Sequence, residues 1–198
     1  MDVFHVLPLI CVKKYRLRKA ITMGIILILY STKDGHTLEI CQRLRQVLEK
    51  HAHQITLLSI DENRSMDLGA FDKIVIGSSV RYGKHSPQVF DFIKENSITI
   101  ESKPNAFFSV NLVARKAEKN QPHTNPYLQK FLGQISWKPK NLAVFAGKID
   151  YQRYRFWDRL IIRLIMWMTK GPTDPKSTIE YTNWKQVEDF GKLIGTMK

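Results

Sequence analysis

The chain has 198 residues, 43% of them hydrophobic, which excludes a disordered chain and suffices for one α/β domain with a sizeable core. Two cysteines, Cys11 and Cys41, exclude a disulfide framework and favour a reducing, cytoplasmic setting. The net charge of +13 is uneven: residues 1–22 contribute +4, residues 23–112 are neutral, and residues 113–198 contribute +9 from sixteen basic and seven acidic side chains, so the second half should face anionic lipid, nucleic acid or an acidic substrate.

Residues 1–22 stand apart. Their apolar run, Val3 to Val12, is too short to cross a bilayer, and its basic residues (Lys13, Lys14, Arg16, Arg18, Lys19) follow it, whereas a secretory signal puts them first. Met23 lies directly ahead of the first strand. Two readings stand, a dispensable or untranslated extension and a weak membrane-surface anchor; a single domain is expected over 23–198.

Five apolar runs with β-branched content then alternate with helical patterns: Gly24–Tyr30, Gln54–Ile60, Lys73–Ser79, Asn105–Val110 and Asn141–Gly147. The first helix, Thr37–Lys50, lines up Leu38, Cys41, Leu44 (or Arg45) and Leu48, which makes Cys41 a core residue. Only a turn of helix fits between the second and third strands. Ser86 with Pro87 opens a helix to Glu95, Asn125 with Pro126 opens one to Ile135, and Thr182–Met197 closes the chain with Trp184, Val187, Phe190, Leu193 and Ile194 at helical spacing. Such alternation predicts a flavodoxin-like three-layer sandwich, its five parallel strands in the order 2-1-3-4-5. Two connections are long: the basic Leu112–Thr124 and Lys148–Glu180.

The first strand runs into Ser31-Thr32-Lys33-Asp34-Gly35-His36-Thr37. This is neither Gly-x-x-x-x-Gly-Lys-Ser/Thr nor Gly-x-Gly-x-x-Gly. It offers three hydroxyls and backbone N–H groups at a helix N-terminus, which suit the phosphate monoester of flavin mononucleotide (FMN). The same residues also describe a plain helix cap. In this fold a ligand sits at the carboxyl ends of the strands, where the strand order reverses. Ser79, Val80, Arg81, Tyr82 and Gly83 follow strand three; Phe108, Ser109, Val110, Asn111 and Leu112 end strand four. The first group either lays its backbone along a flavin edge with Tyr82 over one face, or leaves Arg81 and Tyr82 as ordinary surface loop residues; its place beside the phosphate-type loop favours the former.

These three segments, with Ser109–Lys116 and the run Tyr151-Gln-Arg-Tyr-Arg-Phe-Trp-Asp-Arg159, resemble the bacterial menaquinone-dependent, flavodoxin-like protoporphyrinogen oxidases of haem biosynthesis. The resemblance runs from Met23 to about residue 195 and leaves residues 1–22 without a counterpart. It implies FMN as cofactor, six-electron oxidation of protoporphyrinogen IX to protoporphyrin IX, a membrane quinone (menaquinone or ubiquinone) as acceptor, and a peripheral position on the cytoplasmic face of the inner membrane. It assigns no catalytic acid or base.

The remaining basic segments carry two readings each. Arg115 and Lys116, with Lys119, either meet the propionates of a porphyrinogen or form a solvated loop. As a helix, Tyr151–Lys170 sets Arg155, Arg159 (or Asp158), Arg163 and Lys170 opposite Trp157, Leu160, Ile161, Leu164, Ile165 and Met168. That pattern either lies in a membrane interface, with Arg155, Trp157, Arg159, Arg163 and Trp167 in contact, or packs on the protein's own core. No metal-ligand spacing, hydrolase triad or nucleic-acid motif is present, so neither a metal nor a nucleic-acid partner is expected. The competing functions are an electron-carrier flavodoxin, usually acidic where this chain is basic, and an NAD(P)H:quinone reductase.

Overall fold

The computed structural model describes residues 23–62, 66–152, 156–168, 171, 174 and 177–198. The proposed extension 1–22, Arg155 and Lys170 lie outside the described residues. Five strands, β1 (Ile25–Ser31), β2 (Gln54–Ser59), β3 (Lys73–Ser79), β4 (Asn105–Asn111) and β5 (Asn141–Ala146), form one parallel sheet in the order β2-β1-β3-β4-β5, as expected.

Side-chain alternation on these strands builds a core on each face. Leu27, Leu29, Ile74, Ile76, Phe107 and Val144 pack against α2 (Pro87–Glu101) and α3 (Pro126–Leu132) through Val89, Phe92, Ile93, Leu128 and Phe131. On the other face Ile26, Ile28, Val75, Phe108 and Phe145 meet α1 (His36–Glu49) and α5 (Trp184–Thr196) through Ile40, Leu44, Leu48, Val187, Phe190 and Ile194. Cys41 is core, and burial pushes its thiol pKa up. The buried stripe of α1 includes Ile40 and leaves Leu38 half-buried, a shift of the apolar face from the expected set. In α5, Leu193 faces solvent.

Two differences concern the connections. Helix α2 continues beyond Glu95 to Glu101 because Ile100 is fully buried and Asn96 donates its side-chain amide to the Phe92 carbonyl at 2.9 Å. The connection after β5 is not one long excursion. Strands β6 (Lys148–Asp150) and β7 (Thr178–Glu180) pair antiparallel and close it at its base. Between them α4 (Phe156–Met168) inserts Ile162 and Met166 against Ile149 and Tyr151, a small core of its own.

Gly77 sets the approach of β3 and β4. It pairs with Phe108, and a Cβ there would lie 2.1 Å from the Phe108 ring. Glycine lets that ring cross β3 and pack 5.4 Å from Phe145 and 6.3 Å from Phe190, centroid to centroid.

Candidate functional site

The carboxyl ends of β1, β3 and β4 surround a cavity of about 590 Å³, within the size range of cofactor sites. Thr32, Asp34, His36 and Thr37 line it from the first loop, Ser79 to Gly83 from the second, and Val110, Asn111 and Leu112 from the third. The expected loops therefore converge.

The first loop is not a side-chain cap. Gly35 occupies the N-cap at φ 86°, and no side chain caps α1. Thr32 Oγ1 accepts the Gly35 N–H at 3.1 Å and shapes the turn. The Thr37 hydroxyl is fully buried and has no hydrogen-bond partner among the described residues, and Thr37 is one of the residues lining the cavity. A buried hydroxyl in that condition costs stability unless a ligand meets it. His36 is tied elsewhere: Nδ1 meets Glu39 Oε2 at 2.9 Å, and Nε2 meets Thr182 Oγ1 at 2.6 Å, which joins the start of α1 to the chain returning from the insert.

The second loop is a two-residue turn. Arg81 and Lys84 exchange backbone hydrogen bonds of 2.9 and 3.1 Å, with Tyr82 at φ 50° and Gly83 at φ 75°. Positive φ at both central positions is the geometry that favours glycine at the second. The turn holds Arg81 between two elements: its guanidinium meets Asp34 at 2.6 Å and Asp158 of α4 at 2.8 Å. The Tyr82 hydroxyl donates to the same Asp158, and this bond pushes the phenol pKa up. The phosphate-type loop, the turn and the insert helix are thereby fastened together.

Behind the cavity lies a buried polar chain. Asn111 Oδ1 accepts from the Ala114 N–H at 3.1 Å and from Asn125 Nδ2 at 3.1 Å, and Asn111 Nδ2 donates to Ser109 Oγ at 3.2 Å. Ser109 Oγ and His85 Nε2 are 2.9 Å apart, and burial pushes the His85 pKa down to about 4.

Several expected residues fall outside the cavity lining. Ser31 is buried beside it, Lys33 faces solvent, Gly35 acts through its backbone, and Ser109 acts in the polar chain. Phe108 lies in the core beneath α1 and α5, because alternation along β4 turns it away from the loop side. Arg115 and Lys116 do line the cavity, with Lys119 and, unanticipated, Lys148. Tyr127, Ile162, Ile165 and Met166 complete its walls.

A model of the flavodoxin domain family matches residues 27–176. A curated protoporphyrinogen IX dehydrogenase (quinone) from Escherichia coli (strain K12) is 42% identical over 168 residues, covering 85% of this chain and 93% of the relative. The chain belongs to the flavodoxin-like protoporphyrinogen IX dehydrogenase (quinone) family. The family's representative from Leishmania major is 42% identical over 165 residues, covering 83% of this chain and 71% of the relative. Among solved structures, a Fusobacterium nucleatum flavodoxin bound to flavin mononucleotide superposes with a TM-score of 0.48 at 14% identity, over 87% of this chain and 97% of that one.

The parts that sequence reasoning missed are Asp158, His85, Asn125, Tyr127 and Lys148 as site-forming residues. His85 lies only two positions beyond the Ser79–Gly83 segment, so loop continuity could have found it. Asp158 pairs across 77 positions, which no local pattern signals.

Proposed function

We propose that this protein uses FMN to oxidise protoporphyrinogen IX to protoporphyrin IX and passes the electrons to a membrane quinone. The observation that carries the reading is 42% identity over 85% of the chain to a dehydrogenase of that substrate, with a cavity at the fold's ligand-binding edge.

The residues fit the cofactor. The unpartnered Thr37 hydroxyl and the uncapped first turn of α1 match a phosphate monoester, and Thr32 keeps Gly35 in the turn that exposes those donors. Ser79, Val80 and Gly83 offer backbone to the ring edge, and Tyr82, Val110 and Leu112 offer side-chain surface. When bound, FMN supplies the acceptance of hydride or electrons from the substrate and their release to the quinone. The protein binds, orients and excludes water. Arg115, Lys116, Lys119 and Lys148 meet the propionates of the substrate, while Ile165 and Met166 of α4 form the dry wall.

The reading places the protein peripherally on an anionic membrane through α4. No described helix is long and apolar enough to cross a membrane. Ile162 and Met166 face inward, whereas Phe156, Trp157, Leu160, Ile161, Leu164, Ile165, Trp167 and Met168 are all more than 40% exposed. An aromatic-flanked apolar face of this kind, with Arg159 and Arg163 alongside, suits the headgroup boundary.

The test is anaerobic mixing of the FMN-loaded protein with protoporphyrinogen IX and a quinone. Quinone-dependent porphyrin fluorescence is expected. Flavin bound without porphyrin formation would leave a carrier or a quinone reductase. Cosedimentation with anionic vesicles, lost on Trp157→Ser with Trp167→Ser, tests the membrane arm.

A further inference from the structure

A second cavity, about 510 Å³, opens beside the first and shares Gly83 and Tyr127 with it as a common wall. Its floor is aromatic. His85 and Phe131 are buried, with ring centroids 4.6 Å apart, and the half-buried Phe90 packs 5.0 Å from Phe131. Lys84, Pro87, Asp91, Lys130 and Gln134 form the exposed rim.

The buried polar chain dictates what His85 offers this space. The backbone N–H of Ala114 can only donate, so it fixes the Asn111 carbonyl oxygen, and Asn111 Nδ2 must then donate to Ser109 Oγ. Ser109 Oγ and His85 Nε2 are 2.9 Å apart, and the pair is satisfied when the Ser109 hydroxyl donates to a neutral His85 Nε2. Burial keeps the imidazole neutral at pH 7. A neutral imidazole that accepts at Nε2 carries its proton on Nδ1. That N–H has no partner among the described residues, and His85 is only 5% exposed. In that tautomer His85, one of the residues lining the cavity, carries an Nδ1–H donor beside the aromatic floor.

Resting on the function proposed above, we infer that this second cavity seats the electron acceptor: a planar para-quinone ring lies on the aromatic floor against the half-buried Phe90, and one carbonyl accepts from His85 Nδ1–H. Gly83 and Tyr127 line both cavities, so the two adjoin there. The quinone takes up the electrons and protons that the porphyrinogen gives up, one quinone per two of each. The location suits a lipid-borne acceptor. The turn that supplies Gly83 and Lys84 to this cavity is the turn that holds Asp158 at the start of α4. The cationic residues around the first cavity attract an anionic donor, whereas the second offers a neutral ring a hydrogen bond and an aromatic floor.

The test uses menadione, a tailless naphthoquinone, with the FMN-loaded full-length protein. Two variants serve: His85→Phe, which keeps a ring on the floor and deletes the donor, and Gln134→Trp, which plugs the rim from an exposed position. Losing one hydrogen bond to a neutral carbonyl should raise KM for menadione about five-fold in His85→Phe. Gln134→Trp should raise it at least as much, with FMN affinity and KM for protoporphyrinogen unchanged in that variant. Menadione should also perturb the His85 imidazole resonances without turnover, so this arm reports even if no porphyrin forms and the functional reading itself fails. Unchanged menadione KM in Gln134→Trp, or resonance shifts confined to the first cavity, would overturn the assignment.

Discussion

Replacing the Thr37 hydroxyl with a methyl group should move two properties in opposite directions. Thr37 is 1% exposed and its Oγ1 has no partner. In the FMN-free protein that hydroxyl is a buried, unsatisfied group, a condition that costs about 1–3 kcal/mol. Thr37→Val keeps the β-branched shape and a similar helix propensity, so the FMN-free variant should be more stable by about 1 kcal/mol. On the proposed function, the same hydroxyl would donate to a phosphate oxygen of bound FMN. A hydrogen bond to a charged group contributes about 1.5–3 kcal/mol, so affinity should fall about 10- to 100-fold. Urea unfolding of the FMN-free proteins reads the first effect, and quenching of flavin fluorescence on titration reads the second. The melting curves should cross: the variant lies above wild type without FMN and below it at saturating FMN, because ligand stabilisation grows with concentration over Kd. Thr37→Ser keeps the hydroxyl and should hold affinity within a few-fold. A variant that loses stability without FMN, or that binds FMN as wild type does, refutes the phosphate role.

Three further outcomes follow from the geometry. Gly77→Ala places a Cβ 2.1 Å from the fully buried Phe108 ring and should cost about 1–3 kcal/mol, seen as a lower urea midpoint at constant slope and partly restored by Phe108→Leu. His85 has its folded pKa pushed down to about 4 against an ordinary 6.5, so the unfolded chain binds the extra proton in that window. Stability should be full above pH 6.5, fall by up to about 3 kcal/mol as pH drops toward 4, and lose part of that slope in His85→Phe. Asp158→Asn should free the first turn of α4 from Arg81 and Tyr82 and raise amide exchange there; because the Arg81 and Asp158 side chains are only 21% and 27% exposed, it should also lower the urea midpoint, by about 1–3 kcal/mol in stability.

The inner strands β1, β3 and β4 were legible because they are buried on both faces and read as largely apolar runs, such as Ile26 to Leu29, while the edge strand β2 is only half-buried and still carries Ile55, Leu57 and Leu58. The three site loops were legible for a related reason: in a parallel sheet every ligand loop follows a strand's carboxyl end, so finding the strand finds the loop. Side-chain direction was less legible. Phe108 sits among residues that reach the cavity, yet the period of two sends it into the core. Strands β6 and β7 are three residues each, too short for any periodicity, and depend on pairing across the insert. The contacts that assemble the site, Arg81 with Asp158 and His85 with Ser109, join distant segments, and only the folded topology brings them together.

On the proposed function, helix α4 accounts for the insert that this flavodoxin frame carries. A helix that only completed the cavity would need one apolar stripe, and Ile162 and Met166 at i, i+4 already supply it, with Ile165 at the cavity edge. The other seven large apolar residues are each more than 40% exposed. Burying one Leu, Ile or Phe side chain is worth about 1.5–3 kcal/mol, so a surface covering even a few of them gains enough to hold the protein in place. Each Arg beside an anionic headgroup adds about 1 kcal/mol. The Asp158 latch then fixes where that covered face lies relative to the turn at Arg81–Lys84. On the proposed function, both cavities therefore sit at a fixed distance from the lipid. An enzyme whose electron acceptor is dissolved in the bilayer needs that arrangement, and a soluble carrier does not.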